Sequence, residues 1–216
     1  PENPSAPKTA LALLPDGRYP FWQRVKEQQE QAARLADLAA RPGDPEALYA
    51  LGAAVYHNEL TYYNHLWAGE RQGFNWVGHI NELWPEVPER EEYLEGLMNF
   101  QHARRYFQAA ERAPQASPDL KAKALYSQGL ALGNILEWGQ EATATFDQKA
   151  LKQELIATFQ RFVATYPASS LADDALFALW AYTQDRTYLE RLVAAYPDGD
   201  RAGAAEKLLG QPLKTP

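Results

Sequence analysis

The chain contains no cysteine. Disulfides, thiolate metal sites and cysteine nucleophiles are thereby excluded, although no compartment is, because a helical array needs no covalent staples. Serine is scarce, and neither Ser127 nor the Ser169-Ser170 pair lies in the Gly-x-Ser-x-Gly turn that presents a catalytic serine. No run of about 18 apolar residues occurs, so nothing reads as a membrane-spanning helix. Positive charge is also thin: 21 Lys and Arg stand against 28 Asp and Glu, for a net charge of −7. The basic residues are scattered singly among acids, whereas a nucleic-acid footprint gathers them on one face. DNA, RNA and anionic lipid are therefore discounted as partners.

Only four histidines are present. A helical metal pair wants His-x3-His or Glu-x2-His, because one turn brings both side chains to one ion. His57 and His65 are eight apart, about 12 Å along a helix, and no Glu precedes any histidine by three. His79 and Glu82 have one-turn spacing but no evident third ligand. Gly69, Gly73 and Gly78 match neither the dinucleotide fingerprint nor a P-loop. The neighbouring carboxylates Glu91-Glu92 and Asp173-Asp174 fall at expected helix starts, where they favour the positive end of the macrodipole. The sequence offers no catalytic group, metal ligand set or cofactor motif. The competing reading is a metal-binding or hydrolytic helical protein built on the His57, His65 and His79 region.

What is present is a text written twice. Arg161-Phe162-Val163-Ala164-Thr165-Tyr166-Pro167 returns thirty residues later as Arg191-Leu192-Val193-Ala194-Ala195-Tyr196-Pro197, and Ala172 and Ala175 align with Ala202 and Ala205. Proline disfavours helix in the residue before it and cannot donate into one, so each Tyr-Pro is a stop. Small alanines one turn apart let neighbouring helices approach closely. The expectation is that Tyr166 and Tyr196 pack on the helix after their proline, with Ala175 and Ala205 at the close crossings. A period near thirty residues marks a stacked array of helical hairpins.

Hydrophobic spacing predicts helices over 21–40, 45–67, 89–112, 118–136, 143–165, 170–183, 186–195 and 201–209, and no strand. Asp44 should cap the second with Pro45 at its first position, and Ser117 and Ser170 should cap the fourth and sixth. A turn is expected at Gly139. In the second helix Tyr49, Ala53, Tyr56, Leu60, Tyr63 and Trp67 define one unbroken face, of which Tyr56, Tyr63 and Trp67 are expected to be core. Residues 1–18 carry four prolines and read as an extended lead-in; the rest reads as one helical-repeat domain with an irregular aromatic connection over 68–88. The Pro-rich start without Met has the texture of a tether after a removed signal or anchor.

Tyr166-Pro167-Ala168-Ser169-Ser170-Leu171-Ala172-Asp173-Asp174-Ala175 resembles the tetratricopeptide superfamily. More narrowly, it is similar to the variants in bacterial envelope proteins of the outer-membrane assembly lipoprotein and Tol–Pal coordinator type. Upstream, Tyr106-Phe107, Ala109, Pro114, Leu120, Ala124, Gly129 and Ala131 follow the ordinary tetratricopeptide spacing, with small residues where two helices cross. The resemblance covers residues 100–210 and implies an all-α fold, a right-handed array of antiparallel helix pairs forming a tetratricopeptide-like α-solenoid. It also implies a non-catalytic scaffold that binds a protein or peptide. The implied setting is the cell envelope, periplasmic or surface-attached after signal removal, with the cytoplasm as the alternative.

The segment 56–84 departs from the repeat. Tyr56, Tyr62, Tyr63, Trp67, Phe74, Trp76 and Trp84 place seven aromatics in 29 residues. Tyr, Trp, Asn and His together suit a binding surface. His57, Tyr62, Asn64 and His65 are therefore expected to line a partly exposed partner groove, closed on one side by Phe74, Trp76 and Trp84.

Overall fold

The structure, a computed structural model, describes residues 20–57, 99–142 and 147–210, with side-chain environments over 30–57, 99–137 and 147–210. Eight helices and no strand occur among the described residues. They are α1 (Pro20–Ala39), α2 (Pro45–Tyr56), α3 (Asn99–Arg112), α4 (Pro118–Ala142), α5 (Gln148–Thr165), α6 (Ala172–Thr183), α7 (Thr187–Ala195) and α8 (Ala202–Leu209). Each helix whose neighbour in sequence is described packs on that neighbour, and α2 also touches α4. The all-helical expectation therefore holds.

Local chemistry explains several of the starts. The Asp44 carboxylate accepts from the Glu46 amide at 3.0 Å, and Pro45 fills the first turn of α2. Ser117 Oγ accepts from the Leu120 amide at 3.2 Å. Asp147 caps α5 twice, accepting from the amides of Lys149 at 2.9 Å and Ala150 at 3.0 Å. The cap expected at Ser170 lies elsewhere: Leu171 is the N-cap of α6 without a side-chain bond, and Ser169 Oγ takes the Leu171 amide at 3.3 Å. A preceding backbone turn fixes α6 instead of a hydroxyl.

Two expectations about helix length and facing are corrected. No turn forms at Gly139, which lies inside the continuous α4. One glycine costs a helix interior only about 1 kcal/mol relative to alanine, and buried Ile135 with half-buried Leu136 anchors the preceding turn. In α2 the buried residues are Pro45, Ala47, Leu51, Gly52 and Ala54, whereas Tyr49, Ala53 and Tyr56 are half-buried. Small residues win the contact because α3 comes close: a Cβ at Gly52 would stand 2.6 Å from Phe107 Cε1. The tyrosine rings flank that contact, with Tyr49 5.4 Å from Phe107 and Tyr56 5.3 Å from Phe100 between centroids. α2 closes at Tyr56 with His57 as its C-cap, and the expected continuation to Trp67 lies outside the described residues. So do the lead-in and the aromatic connection.

The main core lies in the C-terminal half. Leu125, Leu132, Leu155, Phe159, Phe162, Leu176, Leu179, Leu189 and Leu192 are buried together there, each contributing about 1.5–3 kcal/mol by leaving water. Gly129 makes room for the Phe159 ring, since a Cβ there would lie 2.6 Å from Phe159 Cε1. The duplicated text folds the same way twice. The Tyr166 amide donates to Phe162 O and the Tyr196 amide to Leu192 O, both at 2.8 Å. Ser169 N to Tyr166 O matches Gly199 N to Tyr196 O at 3.0 Å, and Ala172 N to Ser169 O matches Ala202 N to Gly199 O at 3.1 Å. Ala175 and Ala205 are both fully buried, as their place at the crossings requires. The Tyr196 hydroxyl reaches back to donate to Pro167 O at 2.6 Å, tying one turn to its predecessor.

Candidate functional site

A polar cleft of about 370 Å³ lies between α3 and α5. Arg104, Gln108, Glu111 and Arg112 of α3 form one wall, Glu154, Ala157, Thr158 and Arg161 of α5 the other, with Gln128 of α4 also lining it. One turn of helix brings residues three or four apart to the same face. Arg104, Gln108 and Glu111 therefore share a face on α3, as Glu154, Thr158 and Arg161 do on α5.

Ion pairs cross the cleft. Arg161 forks onto Glu111, Nη1 to Oε1 at 2.7 Å and Nη2 to Oε2 at 3.1 Å. The buried Gln128 adds its Nε2 to Glu111 Oε2 at 2.7 Å, so this carboxylate accepts three donors. Nearer the N-terminal ends, Arg104 Nη2 donates to Glu154 Oε1. The Arg104 Nε is buried without a hydrogen-bond partner, although a buried polar group normally has one. Gln101 Oε1 and Gln148 Oε1 are likewise buried and unpartnered, but neither residue lines the cleft. Arg112 is exposed in the last turn of α3 and makes no ion pair or hydrogen bond among the described residues.

A second polar cluster marks the turn into α8. Carboxylate oxygens of Asp173, Asp174 and Asp200 lie within 4.8 Å of one another, in reach of a cation. Arg201 already serves that cluster: its Nε donates to Asp174 Oδ1 at 2.6 Å and its amide to Asp173 Oδ2 at 3.4 Å. The Asp174 charge, followed by a hydrogen bond with Asp173, pushes the Asp200 carboxyl above its ordinary range. Asp173 and Asp174 are both in the first turn of α6, as expected for the helix dipole. Asp173 is in addition buried against the following turn.

Of the sequence-predicted groove residues, only His57 belongs to the described region. It is exposed at the end of α2, edge-on to Tyr56 with ring centroids 5.1 Å apart. Tyr56 accepts from Asn134 Nδ2 at 2.6 Å. Tyr62, Asn64, His65, Phe74, Trp76 and Trp84 lie outside the described residues, as do His65 and His79 of the metal alternative. The cleft residues escaped the sequence reading. A signal existed: Arg104 and Glu111 are seven apart on one helix, Glu154 and Arg161 seven apart in the reverse order fifty residues on. Two such complementary stripes suggest pairing only once the helices are known to be neighbours.

No protein family, curated protein or solved structure matches the chain.

Proposed function

We propose that the protein is a non-catalytic scaffold that holds a protein or peptide partner. The observation that carries this reading is the cleft between α3 and α5, open to solvent and lined by charged and amide groups. Its side chains suit recognition. Arginine forks, glutamine amides and a threonine hydroxyl fix polar groups by geometry, and none of the lining residues is a serine, cysteine or histidine. The repeat text supports a right-handed array of antiparallel pairs, an architecture whose curvature creates extended concave binding surfaces. The same text favours an envelope setting, periplasmic or surface-attached, which fractionation of cells expressing the full gene would test.

The scaffold reading is tested by panning a random peptide library against the full chain and against Ala157→Trp. Ala157 is exposed on the cleft wall, so the indole fills the cleft without entering the core. The expected result is enriched peptides that bind the wild type and lose the variant. Peptides that bind both equally would move the binding surface elsewhere.

A further inference from the structure

We infer that the cleft between α3 and α5 takes the carboxylate side chains of an acidic segment in its partner, an inference that rests on the scaffold reading. Donor and acceptor accounting leads there. Three guanidinium groups line the cleft, from Arg104, Arg112 and Arg161, against the two carboxylates of Glu111 and Glu154. Each guanidinium carries five N–H donors and no acceptor. Glu111 is already engaged by Arg161 and Gln128, and Glu154 by Arg104. Three positive groups against two negative ones leave the lining with an excess of positive charge. Arg104 Nε–H is buried with no acceptor, and the Arg112 guanidinium has no partner among the described residues. A ligand that completes this site brings acceptors and negative charge.

Geometry narrows the choice to carboxylate-sized groups on a flexible segment. The volume of about 370 Å³ admits one or two side chains rather than a folded domain. A carboxylate matches the planar fork of arginine with two parallel bonds. The overall charge of −7 does not oppose this, because charges beyond about 8 Å are largely screened at physiological ionic strength. Arg112 at the exposed end would meet the segment first, and Arg104 Nε–H would donate to its inner carboxylate.

The test is fluorescence anisotropy on the full chain with three labelled hexapeptides: hexaglutamate with blocked ends, hexalysine with blocked ends, and hexaalanine with a free C-terminal carboxylate. The hexaglutamate is expected to bind. Arg112→Glu, at an exposed position with no partner to lose among the described residues, should weaken it about tenfold or more while the circular dichroism and melting curve stay unchanged. Ala157→Trp should abolish it. Binding of the hexaalanine alone, sensitive to the same variants, would overturn the acidic-segment assignment in favour of a chain terminus. Hexalysine binding that Ala157→Trp abolishes would overturn the carboxylate chemistry and leave the scaffold reading standing. Hexaglutamate affinity unchanged by both variants removes the site from the cleft. If library panning also yields only peptides that bind the wild type and Ala157→Trp equally, the scaffold reading at this cleft falls with it.

Discussion

Helix pairs meet in two different ways in this molecule. Between α5 and α8 the junctions are closed by alanines, with Ala172, Ala175, Ala202 and Ala205 buried among leucine and phenylalanine side chains. Between α3 and α5 a cleft stays open, and charged side chains reach across it from both walls. The closed junctions coincide with the duplicated Tyr-Pro text and the open one does not. Small residues let helix backbones meet directly and exclude water. Long charged residues hold their helices at a distance and keep hydrated donors between them. Helix packing can thus be close in one region and open in another without any change of fold class.

That contrast can be broken by mutation, most severely in the closed region. Phe159→Ala removes a ring that lies against Gly129 and 5.6 Å from Tyr126, and should cost about 3–5 kcal/mol. A denaturant titration checks it, and a loss comparable to a surface substitution would show the region is not close-packed. Ala175→Leu should overpack the crossing at a cost of roughly 1–3 kcal/mol. A neutral outcome there would mean the crossing can open like the cleft.

The alkaline limb of stability is the next largest effect. Burial, first, and the charge of Asp174 push the Tyr126 phenol well above its ordinary value of 10.0. A raised pKa means the fold favours the neutral phenol. Its contribution is therefore whole below the unfolded-state value and declines as pH climbs above it towards the folded-state value. At pH 11 the loss should be roughly 1 kcal/mol, since one pKa unit is worth about 1.4 kcal/mol and the group is partly solvated. Chemical denaturation at pH 8 and pH 11, with Tyr126→Phe as the control that flattens the difference, measures it. Equal slopes in both proteins would assign the alkaline effect to other phenols.

Smaller effects sharpen the comparison. Tyr196→Phe deletes the hydroxyl bond to Pro167 O and should cost about 0.5–1 kcal/mol, the lower part of the range for a hydrogen bond that water can replace. The smallest effect belongs to the open junction. A double-mutant cycle over Arg104→Met and Glu154→Gln should give a coupling of about 0–1 kcal/mol that fades with added salt, as partly exposed ion pairs do. A coupling of several kcal/mol, insensitive to salt, would make the pair a structural lock and the cleft a closed joint.

Sequence alone determined the helices and most of their limits. Proline, N-cap acids and 3.6-residue periodicity act within one turn, so Asp44-Pro45, Ser117 and the Tyr-Pro stops could be read directly and reappear as hydrogen bonds. The thirty-residue repeat likewise foretold that Ala175 and Ala205 would be buried equivalently. Facing was harder. In α2 the apolar stripe favoured Tyr49, Ala53 and Tyr56, yet burial followed Ala47, Leu51, Gly52 and Ala54, because the approach distance of α3 decides which side chains fit. The candidate site was less legible still. Arg104 meets Glu154 and Arg161 meets Glu111 across fifty residues of chain, and Gln128 reaches Glu111 from the helix between them. Those contacts depend on how α3, α4 and α5 pack, a long-range outcome that no local spacing encodes. Local rules set the helices; only their packing could leave Arg104 Nε buried without an acceptor.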